Sequence, residues 1–195
     1  MWASKWNDRA YYSCKKAGIG QEFVQMAVLV QRLVEAEYAF VIHTVNPSNN
    51  DADYMYAEVV VGLGETLVGN FPGRALGFQM RKDGTEAPEI QSLPSKSTGL
   101  FGGGLIFRSD SNGEDLPGFA GAGLYDSIPM VTNTEQTILY HNEKLTTDKV
   151  FADDLMRGIC KVAVDVEHAY GGAPQDIEGC YKDGKFYVVQ TRPQV

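Results

Sequence analysis

Two acidic residues, an amide and an arginine lie at alternating positions near the end of the chain. Asp176 and Glu178 belong to one β-type run, and Gln190 and Arg192 belong to the next. An Asp-Gly pair at 183–184 separates the runs, and such a pair between β-type runs predicts a hairpin. Carboxylate and amide oxygens suit a hard cation such as Mg²⁺, and the forked guanidinium suits phosphate. These residue types predict a metal-nucleotide site, with an ordinary surface ion pair as the alternative.

The register of this hairpin decides whether the four polar side chains can meet. A two-residue loop would pair Lys182 with Lys185 and would send the amide and the arginine to the face opposite the carboxylates. A three-residue loop, with Gly184 in the left-handed conformation as a bulge, would instead pair Tyr181 with Lys185. The first carboxylate would then face the amide, and all four side chains would share one face. We therefore predict the three-residue, bulged loop.

The composition is that of a globular chain. Its 195 residues, of which 44% are hydrophobic, suffice for one core that could have two lobes. The net charge of −8 argues against nucleic acid and anionic membrane surfaces as partners. No apolar run approaches the roughly 18 residues that span a bilayer, and the N-terminus has neither a signal-peptide nor a transit-peptide pattern. The three cysteines lack paired metal-ligand spacing, which predicts reduced thiols.

The hydrophobic pattern predicts an α+β fold. Residues 2–17 predict a helix that Gly18 ends, and residues 147–170 predict the longest helix, with its apolar stripe in the core. Short runs rich in β-branched and aromatic residues predict strands at 26–34, 38–45, 54–61, 74–80 and 105–108, the first two of them buried. Polar segments at 46–53 and 82–98 predict loops.

Several longer motifs resemble a known enzyme family. Three C-terminal motifs, DIE at 176–178, DGK at 183–185 and VQTRP at 189–193, are similar to the end of the nucleotide-binding domain in the pyruvate phosphate dikinase and phosphoenolpyruvate synthase family. Within that family, further motifs are most similar to the α-glucan water dikinase branch, and they lie at 2–10, 26–31, 38–44, 107–116 and 120–127. The resemblance implies an ATP-grasp-like α+β domain with a mixed β-sheet and packed helices. Residues 1–195 would be the C-terminal part of this ATP-binding domain, with no second domain.

The resemblance also implies roles around the phosphates. Asp176, Glu178, Gln190 and Arg192 would surround the phosphates of ATP and Mg²⁺, with Glu178 and Gln190 as the metal ligands. Arg108 would contact the transferring phosphate, where a guanidinium stabilises the charge that develops in the transition state. The two arginines would be the catalytic residues. The alternative for Arg108 is a solvated arginine at the end of a strand.

Further roles concern the base of the nucleotide. By the same resemblance, Gln31 and Leu33 would lie in the connection between two lobes and would bond the adenine edge through backbone groups. Glu65, beside a Gly-rich bend, would be the acidic residue near the nucleotide. An unexceptional core strand and an exposed loop glutamate are the respective alternatives.

The activity that the resemblance implies needs more than these residues. An enzyme of this kind would pass the β-phosphate of ATP through a phosphohistidine to glucosyl residues of starch, and the γ-phosphate to water, in the chloroplast stroma or amyloplast. The family's lysine-bearing phosphate motif and phosphohistidine motif are missing from this sequence, and His43, His141 and His168 lie in no such context. We therefore expect ATP and Mg²⁺ to bind here, while the α-glucan and the phosphohistidine domain would meet regions outside this chain. The isolated chain would be inactive; a truncated, non-catalytic nucleotide-binding fragment and an ATP-grasp ligase stay open as alternatives.

Overall fold

A computed structural model of the protein describes residues 1–69, 71–113, 115–116, 119–120 and 123–194. The chain divides into two compact units. The first unit comprises Met1–Leu33 and Gly102–Asn133, and the second comprises Val34–Phe101 and Thr134–Val195. The chain therefore passes between the units three times.

Short strands dominate the secondary structure. In chain order, the strands are β1 Met26–Leu33, β2 Tyr38–His43, β3 Tyr54–Val61, β4 Leu76–Arg81, β5 Glu89–Ser92, β6 Thr98–Phe101, β7 Gly104–Ser111, β8 Asp115–Leu116, β9 Phe119–Ala120, β10 Ser127–Pro129, β11 Thr134–Thr137, β12 Gln175–Lys182 and β13 Lys185–Pro193. The α-helices are α1 Asp8–Lys16, α2 Glu65–Val68, α3 Lys144–Thr147 and α4 Lys149–Ala169, and 3₁₀ helices lie at Trp2–Trp6 and Tyr140–Asn142. The predicted α+β class is confirmed in this coarse form.

The N-terminal helix of the first unit has clear local causes. The side chain of Asn7 accepts a hydrogen bond from the backbone N–H of Ala10 and so caps α1. Gly18, with φ of 72°, follows the helix in the left-handed conformation that glycine favours. The predicted helix end is confirmed, but the predicted single helix is a 3₁₀ helix at Trp2–Trp6 and α1, separated by Asn7 in an extended conformation. Ala10 and Cys14 on its inner side pack into a small core, together with Val24, Leu124 and Tyr125.

The sheet of the first unit has three antiparallel strands in the order β1-β7-β10. Strand β1 lies at one edge of it. Two successive residues of β1, Leu29 and Val30, are 50% and 54% exposed although their side chains point to opposite faces. The prediction that this strand is buried is wrong, because so small a sheet leaves both of its faces partly open to solvent.

The second unit is built on a six-stranded sheet in the order β13-β12-β2-β3-β4-β5. Each neighbouring pair in it is antiparallel, so the predicted mixed sheet is wrong for the described strands. A two-residue turn joins β12 to β13, a loop joins β2 to β3, and a longer connection that contains α2 joins β3 to β4. Connections of these kinds allow antiparallel pairing.

One face of this larger sheet is buried under α4, which packs on β2, β3, β12 and β13. Asp148 caps the helix by accepting hydrogen bonds from the backbone N–H groups of Val150 and Phe151. The sheet contributes Phe40, Ile42, Met55, Val59, Phe78 and Ile177 to the core, and the helix contributes Leu155, Met156, Ile159 and Ala163. The predicted core stripe of the long helix is confirmed for most of its length, although Ala169 at its end is exposed.

Of the two predicted loops, the first is confirmed and the second is only partly right. Residues 46–53 contain no strand or helix, but residues 82–98 contain β5. Strand β5 is a short, largely exposed edge strand without an apolar run, so its sequence gave no hydrophobic signal. Among the described residues, no helix has the combination of length and apolarity needed to cross a bilayer.

Candidate functional site

The C-terminal hairpin turns through two residues. Asp183 and Gly184 have φ of 48° and 75°, and Lys182 pairs with Lys185 across them. Positive φ at Gly184 is confirmed, but the predicted three-residue loop is wrong. Two successive residues at positive φ form the turn that best fits the right-handed twist of the strands, and aspartate tolerates this conformation better than most residues.

A bulge further along the hairpin restores the arrangement that the site needs. Gly179 pairs with Val188 and Glu178 pairs with Gln190, so Val189 is an extra residue on β13. Beyond the bulge, the predicted pairing of Asp176 with Gln190 is replaced by pairing of Asp176 with Arg192. Because paired side chains share a face and alternate residues share a face, all four polar side chains lie on the same face. The shared face is confirmed, although the bulge that produces it lies at Val189 and not at the turn.

Close backbone packing at the bulge explains the glycine there. A Cβ on Gly179 would lie 2.4 Å from the ring of Phe40 and 2.8 Å from the carbonyl oxygen of Tyr187. No side chain fits at such distances without a shift of its neighbours. The glycine thus lets β12 lie close to the core and to β13 at the point where the pairing changes.

Asp176 and Arg192 form the best-defined contact of the hairpin. Arg192 donates from Nε and Nη2 to Oδ2 of Asp176, at 2.9 and 2.7 Å. Asp176 is largely buried, with a side chain 14% exposed, whereas the side chain of Arg192 is 41% exposed. Charge-assisted hydrogen bonds of this kind fix orientation as well as charge. The carboxylate therefore holds the Nε–Nη2 edge of the guanidinium, and the arginine side chain is still partly exposed.

The same face continues across the sheet as a row of polar side chains. We call it the polar face, and it comprises Asp176, Glu178, Gln190, Arg192, His43, Tyr56, Glu58 and Gln79, on the side opposite α4. Tyr56 donates a hydrogen bond to Glu58 at 3.1 Å. Burial, the charge of Glu58 and this hydrogen bond, in that order, raise the pKa of Tyr56 to about 12. The hydroxyl of Tyr56 therefore stays protonated at neutral pH and serves as a donor.

Glu178 and Gln190 provide a donor set that fits Mg²⁺. They lie directly opposite each other on β12 and β13, so one carboxylate and one amide oxygen share a small area. Mg²⁺ usually takes one or two carboxylate-type ligands from the protein and completes its shell with phosphate oxygens and water. Within the described part of the chain, no group of three or more His, Cys, Asp or Glu side chains could hold a metal on its own. The pair therefore suits a metal that arrives with phosphates better than a closed structural site.

Glu65 is the first residue of α2, in the same unit as the hairpin. The short helix packs on β2, β3 and β6. The preceding bend requires Gly62, which has φ of 86° and whose added Cβ would lie 2.3 Å from the carbonyl oxygen of Leu100. The Gly-rich bend thus has a definite structural role, which is to turn the chain from β3 into α2.

The other candidate residues lie in the first unit. Leu29 pairs with Arg108 and Gln31 pairs with Ile106, so Arg108, Gln31 and Leu33 share one face of the small sheet. Leu33 is the last residue of the first unit, and Val34 is the first of the second. The predicted connection between two lobes therefore coincides with a boundary between the units. The structure brings these three residues to one face, and it separately brings the hairpin residues to the polar face.

Sequence reasoning missed two residues of the polar face. It treated His43 as a packed or surface residue and gave Tyr56 no role, yet both lie in line with Asp176. The available signal was the alternation in β2 and β3, where polar side chains alternate with fully buried ones such as Ile42 and Ala57. Part of the two motifs at 107–116 and 120–127 lies outside the described residues.

Comparison with known proteins shows which enzymes this chain resembles. Residues 1–82 match the family described as pyruvate phosphate dikinase, AMP/ATP-binding domain. The whole chain is 54% identical to an α-glucan water dikinase, chloroplastic, from Solanum tuberosum, and 53% identical to α-glucan water dikinase 1, chloroplastic, from Arabidopsis thaliana. The chain is a homologue of the α-glucan water dikinases over its whole length.

More distant relatives widen the family. The chain is 26% identical, over 98% of its length, to a probable phosphoenolpyruvate synthase from Methanocaldococcus jannaschii. It spans only 13% of the Solanum tuberosum dikinase and 14% of the Arabidopsis thaliana one. The resemblance inferred from the motifs is thereby confirmed, and it concerns a small part of much longer enzymes.

Proposed function

We propose that this chain is the ATP- and Mg²⁺-binding portion of an α-glucan water dikinase. The observation that supports this most strongly is the shared face of the hairpin, where a carboxylate-amide pair lies next to an arginine held by Asp176. A cation site beside an oriented guanidinium provides the groups that bind the phosphates of a nucleoside triphosphate. The identity to named dikinases along the whole chain supports the same reading.

Each set of residues would bind a different part of ATP. Glu178 and Gln190 would hold Mg²⁺, Arg192 would bind the phosphates, and Asp176 would orient Arg192 beside them. When bound, Mg²⁺ would neutralise part of the phosphate charge. Arg108 would act at the transferring phosphate, where its charge matters most as the bond to the leaving group weakens.

The adenine would be bound by the first unit. Gln31 and Leu33 would contact its edge through their backbone, and this is compatible with the position of β1 at the edge of its sheet. Glu65 would be the acidic residue near the nucleotide. Residues 1–195 would form the C-terminal part of an ATP-grasp-like domain.

The rest of the reaction would take place elsewhere in a longer protein. The β-phosphate would pass to a phosphohistidine domain and then to a glucosyl residue of starch, and the γ-phosphate would pass to water. Several relatives are named as chloroplastic enzymes, which supports a plastid location for this protein. A chain that binds nucleotide without catalysis is the second candidate, because this sequence lacks the lysine-bearing phosphate motif that the family resemblance implies.

Isotopic labelling separates these possibilities. The longer dikinase that includes this domain is incubated with an α-glucan and ATP labelled at either the β or the γ phosphate. We expect β-label on the glucan and γ-label in free phosphate. An ATP-grasp ligase would put neither label on glucan, and a non-catalytic fragment would bind ATP and release no label.

The metal ligands can be tested in the same assay. Glu178→Gln keeps the size of the side chain and removes its charge, so we expect a higher Mg²⁺ concentration for half-maximal activity. Glu89→Gln, on the exposed edge strand, is the matched control and should leave the metal dependence unchanged. An unaltered Mg²⁺ requirement in Glu178→Gln would remove this residue from the ligand set.

A further inference from the structure

His43 occupies a defined place beside the phosphate-binding pair. It pairs with Asp176 on one neighbouring strand and with Tyr56 on the other. Asp176 in turn pairs with Arg192. Arg192, Asp176 and His43 therefore form a row across three adjacent strands, with their side chains on the polar face.

The ring nitrogen next to Asp176 has an unusual environment. Nδ1 of His43 is buried and has no hydrogen-bond partner among the described residues. It lies 4.0 Å from Oδ1 of Asp176, which is too long for a hydrogen bond. Buried polar atoms nearly always have a partner, and leaving one without it is costly. A small closure of the gap would satisfy this nitrogen.

Asp176 is arranged to accept such a bond. The two hydrogen bonds that Asp176 accepts from Nε and Nη2 of Arg192 go to Oδ2, and Oδ1 is the oxygen that lies 4.0 Å from Nδ1 of His43. The other neighbour of the histidine is engaged elsewhere, since the hydroxyl of Tyr56 donates to Glu58. A bond at each oxygen would fix the plane of the carboxylate, whereas bonds at one oxygen leave it free to rotate.

We propose that His43 is a positioning residue for Arg192. When Arg192 engages a phosphate, His43 donates from Nδ1 to Oδ1 of Asp176 and so locks the carboxylate that orients the guanidinium. The inference rests on the proposed function, in which Arg192 binds the phosphates of ATP. It extends the site by one residue, on β2, that touches no part of the nucleotide itself.

Three substitutions distinguish the two ring nitrogens. His43→Asn keeps an N–H at the position of Nδ1, because both nitrogens are three bonds from Cα. His43→Gln reaches instead toward the position of Nε2, and His43→Phe keeps the ring without either nitrogen. His168→Phe, on the exposed end of α4, is the control for loss of a histidine.

The experiment compares the affinity for a ligand that carries phosphates with the affinity for a ligand that carries none. Affinities of the chain for MgATP and for adenosine are measured by calorimetry. We expect His43→Phe and His43→Gln to weaken MgATP binding about tenfold and to leave adenosine binding unchanged. His43→Asn should stay within about threefold of the parent protein for both ligands. Rescue by glutamine and not by asparagine, or parental affinity in all three variants, would overturn the proposal.

Two further measurements separate this inference from the proposed function. Arg192→Ala should weaken MgATP binding more than any His43 variant, and an unchanged affinity would count against the phosphate site itself. In the presence of millimolar inorganic tripolyphosphate, which supplies phosphates without a base, NMR of the Arg192 Nε–H reports its protection from solvent exchange. His43→Phe should raise that exchange rate and His43→Asn should not. Equal rates in both variants would reject the positioning role even if ATP binding proved too weak to measure.

Discussion

The two sheets of this protein hold their functional residues in different ways. The six-stranded sheet has one face packed against α4, with Phe40, Ile42 and Phe78 almost fully buried, and its other face is polar. The three-stranded sheet has Leu29 and Val30 half exposed on opposite faces. Polar residues on the larger sheet are therefore fixed by a core beneath them, whereas Arg108 and Gln31 lie on a thinner support. We infer that the larger sheet holds its polar side chains in fixed positions, whereas the side chains on the smaller sheet can adjust their positions.

The largest expected effect is that of replacing Arg108 on the three-stranded sheet. In the longer dikinase, Arg108→Ala should lower turnover by about 10³ or more, because an arginine at the transferring phosphate stabilises the transition state. Its effect on the free energy of unfolding should be small, since the side chain is only half buried. Steady-state kinetics and chemical unfolding measure the two quantities. Near-normal turnover would return Arg108 to the role of a solvated surface residue.

Truncation of apolar side chains compares the two supports directly. Phe78→Ala in the larger sheet should cost about 3–5 kcal/mol of unfolding free energy, as expected for a fully buried aromatic ring. Val30→Ala in the smaller sheet should cost less than about 1 kcal/mol, because the side chain is already 54% exposed. Urea unfolding gives both values. Similar costs at the two sites would contradict the difference in packing.

The bulge at Val189 offers a geometric test within the larger sheet. Deleting Val189 makes the hairpin regular and keeps Gln190 opposite Glu178, so MgATP affinity should change by less than about threefold. Inserting one alanine after Val189 forces either a wider bulge or a change of face, and affinity should fall about tenfold or more. Calorimetry with MgATP compares the two variants. A deletion as damaging as the insertion would mean that the bulge itself, and not the face, matters.

The smallest expected effect concerns Tyr56 on the polar face. Its pKa is raised from 10.0 to about 12, chiefly by burial. The folded protein therefore keeps this proton while the unfolded chain loses it, so the stabilisation is complete below pH 10 and is lost as pH rises toward 12. Tyr56→Phe should make the decline of stability between pH 10 and 12 less steep. The exposed Tyr170→Phe is the control, and equal slopes in both variants would contradict the buried environment.

Local sequence signals predicted the elements that a single strong pattern defines. The long helix, the Gly18 helix end and strand β3 follow from periodicity, glycine at positive φ and β-branched residues, each of which acts over a few neighbours. Strands β5 and β11 were missed because both are largely exposed and polar, so their sequences have no hydrophobic pattern. Pairing decides their conformation, with the neighbouring β4 for β5 and with β6, which is distant in the chain, for β11.

In the candidate site, too, local signals predicted some features, while features that depend on contacts with other strands were missed. The Asp-Gly turn was recognised from its sequence, but the loop length was wrong because the bulge depends on the contact of Gly179 with the ring of Phe40. His43 was passed over because its neighbours in sequence are apolar, while its important neighbours lie on β12 and β3. Local sequence patterns could not predict roles that depend on partners on neighbouring strands.

The three passages of the chain between the units also constrain how the protein is made. Strand β1 pairs with β7, so the small sheet closes only after about 70 intervening residues have been synthesised, and closing so long a loop is entropically costly and slow. Those intervening residues include β2, β3 and β4, which can already pair as consecutive hairpins on the ribosome. During translation, β1 therefore cannot pair until its partner strand β7 has been synthesised. Neither unit can be cloned as one uninterrupted fragment, and a designer who wants either alone would have to rewire the order of its segments.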